Sequence, residues 1–126
     1  MEKGIKNTKT ISVTPDKTAE AMGRGILPVF ATPAMVALME NTAAESVEAL
    51  VGEGNTTVGT LINAKHLSAD PVGAEIRCES EVVEVDGRRL AFEIKVFDRD
   101  GLVGEAYHER FVIDKARFMD KVQKKL

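Results

Sequence analysis

The chain has 126 residues, 44% of them apolar and 29% charged, with a net charge of -3. That balance excludes a disordered or membrane-spanning class, and scattered lysines without an aromatic platform give no support for nucleic-acid binding. A single domain over residues 1–126 is expected, and the lone Cys78 excludes an internal disulfide or a cysteine-based zinc cluster.

The amino terminus Met1-Glu2-Lys3-Gly4 lacks an apolar signal segment, so a cytoplasmic location is expected. Thr8 to Val13 alternates polar against apolar and stops at Pro15, which predicts a first strand. Asp16 to Phe30 carries Gly23, Gly25 and Pro28 and reads as a loop or broken helix. A long helix then starts at Thr32, an N-cap type, followed by Pro33 at the first helical position. Its apolar residues run through Val36, Leu38, Met39, Ala43, Val47 and Leu50, and Gly52 supplies the stop. The early half is apolar on nearly every side, which predicts a buried helix.

After Gly54 the period changes to two. Strands are predicted over Thr56–His66, Ala74–Val85, Arg88–Phe97 and Leu102–Ile113, divided by Asp70-Pro71-Val72-Gly73, Asp86-Gly87 and Asp98-Arg99-Asp100-Gly101. Ala116, Met119 and Val122 stand at helical spacing among lysines and predict a short surface helix at the end. The fold class is therefore α+β, an antiparallel sheet around one long helix. Cys78, on a strand, reads as a small core residue.

Glu40 stands out because it interrupts the apolar run Ala31–Met39, where a solvated carboxylate is not expected. An unpaired buried carboxylate costs several kcal/mol unless a partner or a task holds it there. Two residues could supply the task. Thr32 opens the same helix, where a hydroxyl lies beside free backbone donors able to hold an oxyanion. His66 ends the next strand on a face shared with Ile62 and Ala64. Taken singly, Thr32 reads as a helix cap, Glu40 as half of an ion pair across an interface and His66 as a core histidine. Their combination favours catalysis.

On the last strand Gly104, Ala106, His108, Arg110 and Val112 point one way, with Val103, Glu105, Tyr107, Glu109 and Phe111 opposite. The small residues place that face against something close, so Arg110 needs an anion: a substrate group, a phosphate, Glu40 or Glu109. A structural role is preferred for His108 over a second catalytic one. No HxxH or HExxH spacing indicates a metal site.

The strings FATPAMVALMEN, VGTLINAKH, EVDGRRLAFEIKVFD and GEAYHERFVID, in this order and spacing, resemble the fluoroacetyl-CoA thioesterase-like subgroup of hotdog thioesterases over roughly the last three-quarters of the chain. The resemblance implies the hotdog fold, a homodimer with its sites at the interface, an acyl-CoA substrate and no cofactor. It implies Thr32, Glu40 and His66 as the catalytic group and Gly59 and Arg110 as substrate-binding residues. Thioester hydrolysis suits them, because the carbonyl is electrophilic, the thiolate leaves readily, and the protein must aim a nucleophile and stabilise the oxyanion. Glu40 then acts as base or nucleophile, His66 positions and protonates, and Thr32 binds or attacks. The segment Met22–Leu27 carries no aromatic residue, whereas the fluoroacetate-specific member uses aromatics there as a selective lid. A small or medium acyl-CoA is therefore the expected substrate. An enoyl-CoA hydratase of the same fold would need an Asp/His pair in a different local motif, and a non-catalytic acyl-CoA sensor would bind without releasing thiol.

Overall fold

The computed structural model describes residues 1–23 and 25–126. Strand β1 (Lys6–Ser12) leads through an irregular segment to helix α1 (Thr32–Val47), and strands β2 (Asn55–His66), β3 (Glu75–Asp86), β4 (Arg89–Asp98) and β5 (Gly101–Asp114) follow before helix α2 (Lys115–Gln123). The five strands form one antiparallel sheet in the order β1-β3-β4-β5-β2, which leaves β1 and β2 at its edges. The hairpins close as the turn residues predict. Gly87 adopts φ +59° between β3 and β4, and the Asp98 carboxylate accepts from the Asp100 and Gly101 amides at 2.7 and 3.1 Å between β4 and β5.

Helix α1 forms because Ala, Met and Leu dominate its first two turns, and those residues lose little side-chain freedom in a helix. It buries Ala34, Met35, Leu38, Met39, Thr42, Ala43 and Val47, a stripe with the 3.6-residue period. The stripe lies on Ile76, Cys78 and Val82 of β3 and Phe92, Ile94 and Val96 of β4, all fully or almost fully buried. Each large side chain buried there stabilises the fold by about 1.5–3 kcal/mol. Gly104 sets the closeness of helix and sheet, since a Cβ at that position would lie 2.5 Å from Met35 Sδ. Cys78 sits in this core, its thiol pushed up to about 11 by burial.

Three expectations are corrected. The sequence predicts a helix buried on most sides, yet Pro33, Ala37 and Asn41 are exposed and Val36, Glu40 and Ala44 half-buried, because the sheet covers only one side of α1. Thr32 is the first helical residue and not the cap. Ala31, with extended φ -77° and ψ 141°, holds the cap position and supplies no side-chain bond. Val103, predicted to face outward, is buried, because the β4–β5 register shifts between Val96 and Phe97 and reverses the alternation there. Asp16–Phe30 is a loop with one short 3-10 turn at Pro15–Lys17, and within the Met22–Leu27 segment Arg24 lies outside the described residues. Among the described residues no helix is long and apolar enough to cross a membrane.

Candidate active site

Gly59 and His66 are an odd number of residues apart, so an unbroken strand would send them to opposite faces of the sheet. They share a face because β2 carries a bulge. Gly59 pairs with Arg110 and Leu61 with Glu109, leaving Thr60 as the extra residue. Thr57 and Gly59 before the bulge, and Ile62, Ala64 and His66 after it, therefore all face α1. A glycine within a strand is the sequence signal for such an irregularity. Gly59 carries that signal, one residue before the bulge.

At the amino-terminal end of α1 the Thr32 hydroxyl lies 2.8 Å from His66 Nδ1. The hydroxyl that would cap a helix is thus free to serve the imidazole. Phe30 packs its ring edge-on to His66, with centroids 6.0 Å apart and planes at 79°. Burial pushes the His66 pKa below its ordinary value, opposed in part by the Ser68 backbone, so the neutral ring prevails near pH 7. Its Nε2 is buried and has no partner among the described residues. Beside this pair opens a cleft of about 740 Å³ lined by Ala19, Val29, Phe30, Val36, Leu67 and Ala69. Before α1 the Ala19 and Glu20 amides donate to the Val29 and Leu27 carbonyls, and Met22, Ile26 and Leu27 are exposed.

Glu40 is eight residues further along α1, about 12 Å of helical rise from Thr32. A second cluster forms around it. A Cβ on Gly59 would lie 2.8 Å from Glu40 Oε1, 3.2 Å from Arg110 Nη1 and 3.3 Å from His108 Cε1, so only glycine leaves room for all three. Arg110 donates through Nε to Thr57 Oγ1 at 2.8 Å and through Nη2 to the Thr57 carbonyl at 3.0 Å. Burial lowers its pKa, while Glu40 and then Glu48 act in the opposite sense. The Glu40 carboxylate is in no ion pair or side-chain hydrogen bond among the described residues. Glu109, one of the anions considered for Arg110, is held by Arg89 at 3.0 Å and by the Tyr107 hydroxyl at 2.6 Å instead.

Within one chain, then, the five residues singled out by sequence fall into two groups. Thr32 meets His66, and Glu40 meets Gly59 and Arg110, but the groups stand two helical turns apart. Sequence reasoning also missed Thr57, whose hydroxyl and carbonyl hold the arginine. A β-branched residue two positions before Gly59 carried no signal for that. Chemically, a hydroxyl within hydrogen-bond distance of a neutral imidazole is the arrangement that activates an oxygen nucleophile. An unpaired carboxylate can orient and charge-compensate such an imidazole.

The chain was compared with known proteins. The model of the family described as fluoroacetyl-CoA-specific thioesterase matches residues 13–116. The fluoroacetyl-CoA thioesterase of Streptantibioticus cattleyicolor is 35% identical over 97 residues, covering 77% of this chain and 70% of that protein. A crystal structure of a fluoroacetyl-CoA thioesterase superposes with a TM-score of 0.93 at 32% identity, over 100% of this chain and 98% of the other. A threonine-to-serine mutant in complex with acetyl-CoA gives 0.94 at 30% identity, over 99% and 98%. A Thermus thermophilus member of the thioesterase superfamily gives 0.89 at 25% identity, over 98% and 91%.

Proposed function

The chain belongs to the fluoroacetyl-CoA-specific thioesterase family and is an acyl-CoA thioester hydrolase of hotdog fold, and from that premise we propose that it acts on a small or medium acyl-CoA through Thr32, His66 and Glu40 in a homodimer. One observation carries the reading. Among the described residues His66 Nε2 is a buried ring nitrogen without a partner, the Glu40 carboxylate is in no ion pair or side-chain hydrogen bond, and one chain holds them apart. A second copy related by a two-fold axis can join them.

Two features of the chain favour that copy. Strand β2 is an unpaired edge of twelve residues, a ready template for another strand. The face of α1 that the sheet leaves open carries Pro33, Ala37 and Asn41 together with Glu40. Pairing β2 with β2 of a second copy runs the two helices antiparallel, so the Thr32 end of one approaches the Glu40 region of the other. The domain that carries this site is the whole of 1–126, and its buried free Cys78 suits a reducing, cytoplasmic setting.

In this site Thr32 Oγ attacks the thioester carbonyl carbon while His66 Nδ1 takes the hydroxyl proton. The carbon–sulfur bond breaks, the CoA thiolate leaves and recovers that proton, and a water molecule then hydrolyses the acyl-threonine ester. Glu40 of the second copy accepts from Nε2–H and compensates the transient imidazolium. Gly59 and Arg110 bind the substrate beside Glu40. The apolar cleft and the aliphatic residues Met22, Ile26 and Leu27 suit an acyl chain, and the absence of aromatics from Met22–Leu27 argues against selection for fluoroacetyl-CoA. No cofactor is required.

The test is a panel of acyl-CoAs, fluoroacetyl-CoA included, followed by release of free thiol with a chromogenic reagent. Thr32→Ser should retain measurable turnover and Thr32→Ala should lose it. Binding of every acyl-CoA with release from none would replace this reading with an acyl-CoA sensor.

A further inference from the structure

His108 is the histidine that the proposed reaction leaves unused, and it is completely buried. It stands two residues before Arg110 on β5 and opposite Ile62, just past the β2 bulge. Its Nδ1 lies 2.7 Å from the Leu61 carbonyl oxygen. That oxygen can only accept, so Nδ1 carries the proton. Its Nε2 lies 3.2 Å from Arg110 Nη1, which can only donate, so Nε2 presents a lone pair. Both contacts are met by one species, the neutral Nδ1–H imidazole. Phe92 covers the ring at 5.9 Å between centroids.

The two Thr57 contacts define one edge of the Arg110 guanidinium and leave its plane free to tilt about that edge. His108 supplies the third point. Without it, Nη1 could swing toward Glu40 Oε1, since both atoms lie within 3.2 Å of the place a Gly59 Cβ would occupy. A guanidinium that close to a carboxylate closes into an ion pair unless its donors are held elsewhere. As the protein stands they are not paired.

We propose that His108 is a positioning residue for thioester hydrolysis: as a neutral acceptor it holds Arg110 Nη1 beside Glu40 but out of ion-pair contact, leaving the carboxylate free to engage His66 of the second copy. The proposal rests on the functional reading above. It separates the two histidines by task, one moving a proton and one accepting a hydrogen bond from Arg110. The charged groups facing His108 are Arg110, on its own strand, and Glu40, from α1; Glu48 acts on Arg110. Burial is the largest influence on His108 and holds it neutral, Arg110 adds to that effect, and Leu61 and Glu40 oppose it.

The experiment is a double-mutant cycle on thiol release with His108→Asn, Arg110→Met and the pair. His108→Asn should lower kcat by about tenfold or more, as misplacement of a catalytic group does, and raise KM as well, because the displaced Arg110 also binds the substrate. In the Arg110→Met background the same change should cost less than about twofold, since His108 acts through the arginine. Equal losses in both backgrounds, or full activity of His108→Asn, would overturn the proposal while leaving the thioesterase reading intact. A wild type that releases no thiol from any acyl-CoA takes both down. Should His108→Asn fail to fold, nitrogen NMR of the wild-type imidazoles decides: a neutral Nδ1–H ring for His108 from pH 5 to 8 supports it, and a ring that charges in that range overturns it.

Discussion

The two ends of α1 solve opposite problems. At the amino-terminal end Thr32 is exposed, His66 half-buried, and one hydrogen bond joins them beside an open cleft. Two turns on, Arg110 and His108 are buried and all but saturated: Thr57 and Leu61 hold both side chains, and Gly59 makes room for Glu40. The first region is sparse and accessible, as a nucleophile that must meet substrate requires. The second is more buried and held at several points, as a charge that must keep its direction requires. Each keeps one group unpaired, an imidazole nitrogen in the first and a carboxylate in the second. In the proposed function the division means that each end needs a second copy to complete a site.

The sharpest way to break this comparison is to inactivate the ends separately. Glu40→Gln and His66→Asn should each lower kcat/KM by about 10³-fold, within the range for a positioned acid–base group. Mixing the two unfolded variants and refolding them together should restore about a quarter of wild-type activity, because half the dimers are mixed and each has one intact site. No recovery on mixing would mean that each chain carries a site of its own. Gly59→Ala tests the packed end alone. The added Cβ forces Glu40 Oε1 from its place, and turnover should fall by about 10²-fold while the urea midpoint stays near that of the wild type.

The open end is addressed by pH. In the proposed mechanism His66 reacts as the neutral ring, so kcat/KM should fall as pH drops; burial alone puts the midpoint below the ordinary 6.5, and Glu40 of the second copy raises it where it engages the ring. A midpoint above 6.5 would mean that a carboxylate in the free enzyme already engages the ring.

The smallest expected effect concerns the loop behind that end. Asp70, whose carbonyl accepts from the Phe30 amide at 2.8 Å, is 5% exposed, and burial followed by the Asp98 carboxylate raises its pKa from 3.8 to about 6. The folded protein therefore holds a proton that the unfolded chain releases. That contribution to stability is full below pH 3.8 and is lost as pH rises to about 6. Asp98, shifted downward, acts in the opposite sense and only below its ordinary range. Thermal melts should show Asp70→Asn gaining on the wild type by about 4 °C or more between pH 4 and 6, with no further gain above. A constant difference across that range would count against the raised pKa of Asp70.

The residues themselves determined the element order, the antiparallel hairpins and the inward face of the last strand from Gly104 to Arg110, because those depend on local period and turn chemistry. They also marked Glu40, since a carboxylate in an apolar run is anomalous before any fold is known. What they could not determine were relations set by distant backbone. The bulge at Thr60 decides which β2 residues share a face, and pairing with β5 fixes it. The bond that takes the Thr32 hydroxyl from capping to His66 joins residues 34 apart. The roles of Thr57 and His108 exist only because two strands meet there. Local propensity reads neighbours along the chain, whereas a site is made by neighbours in space, and here the residues that complete it came together only when the sheet closed over α1.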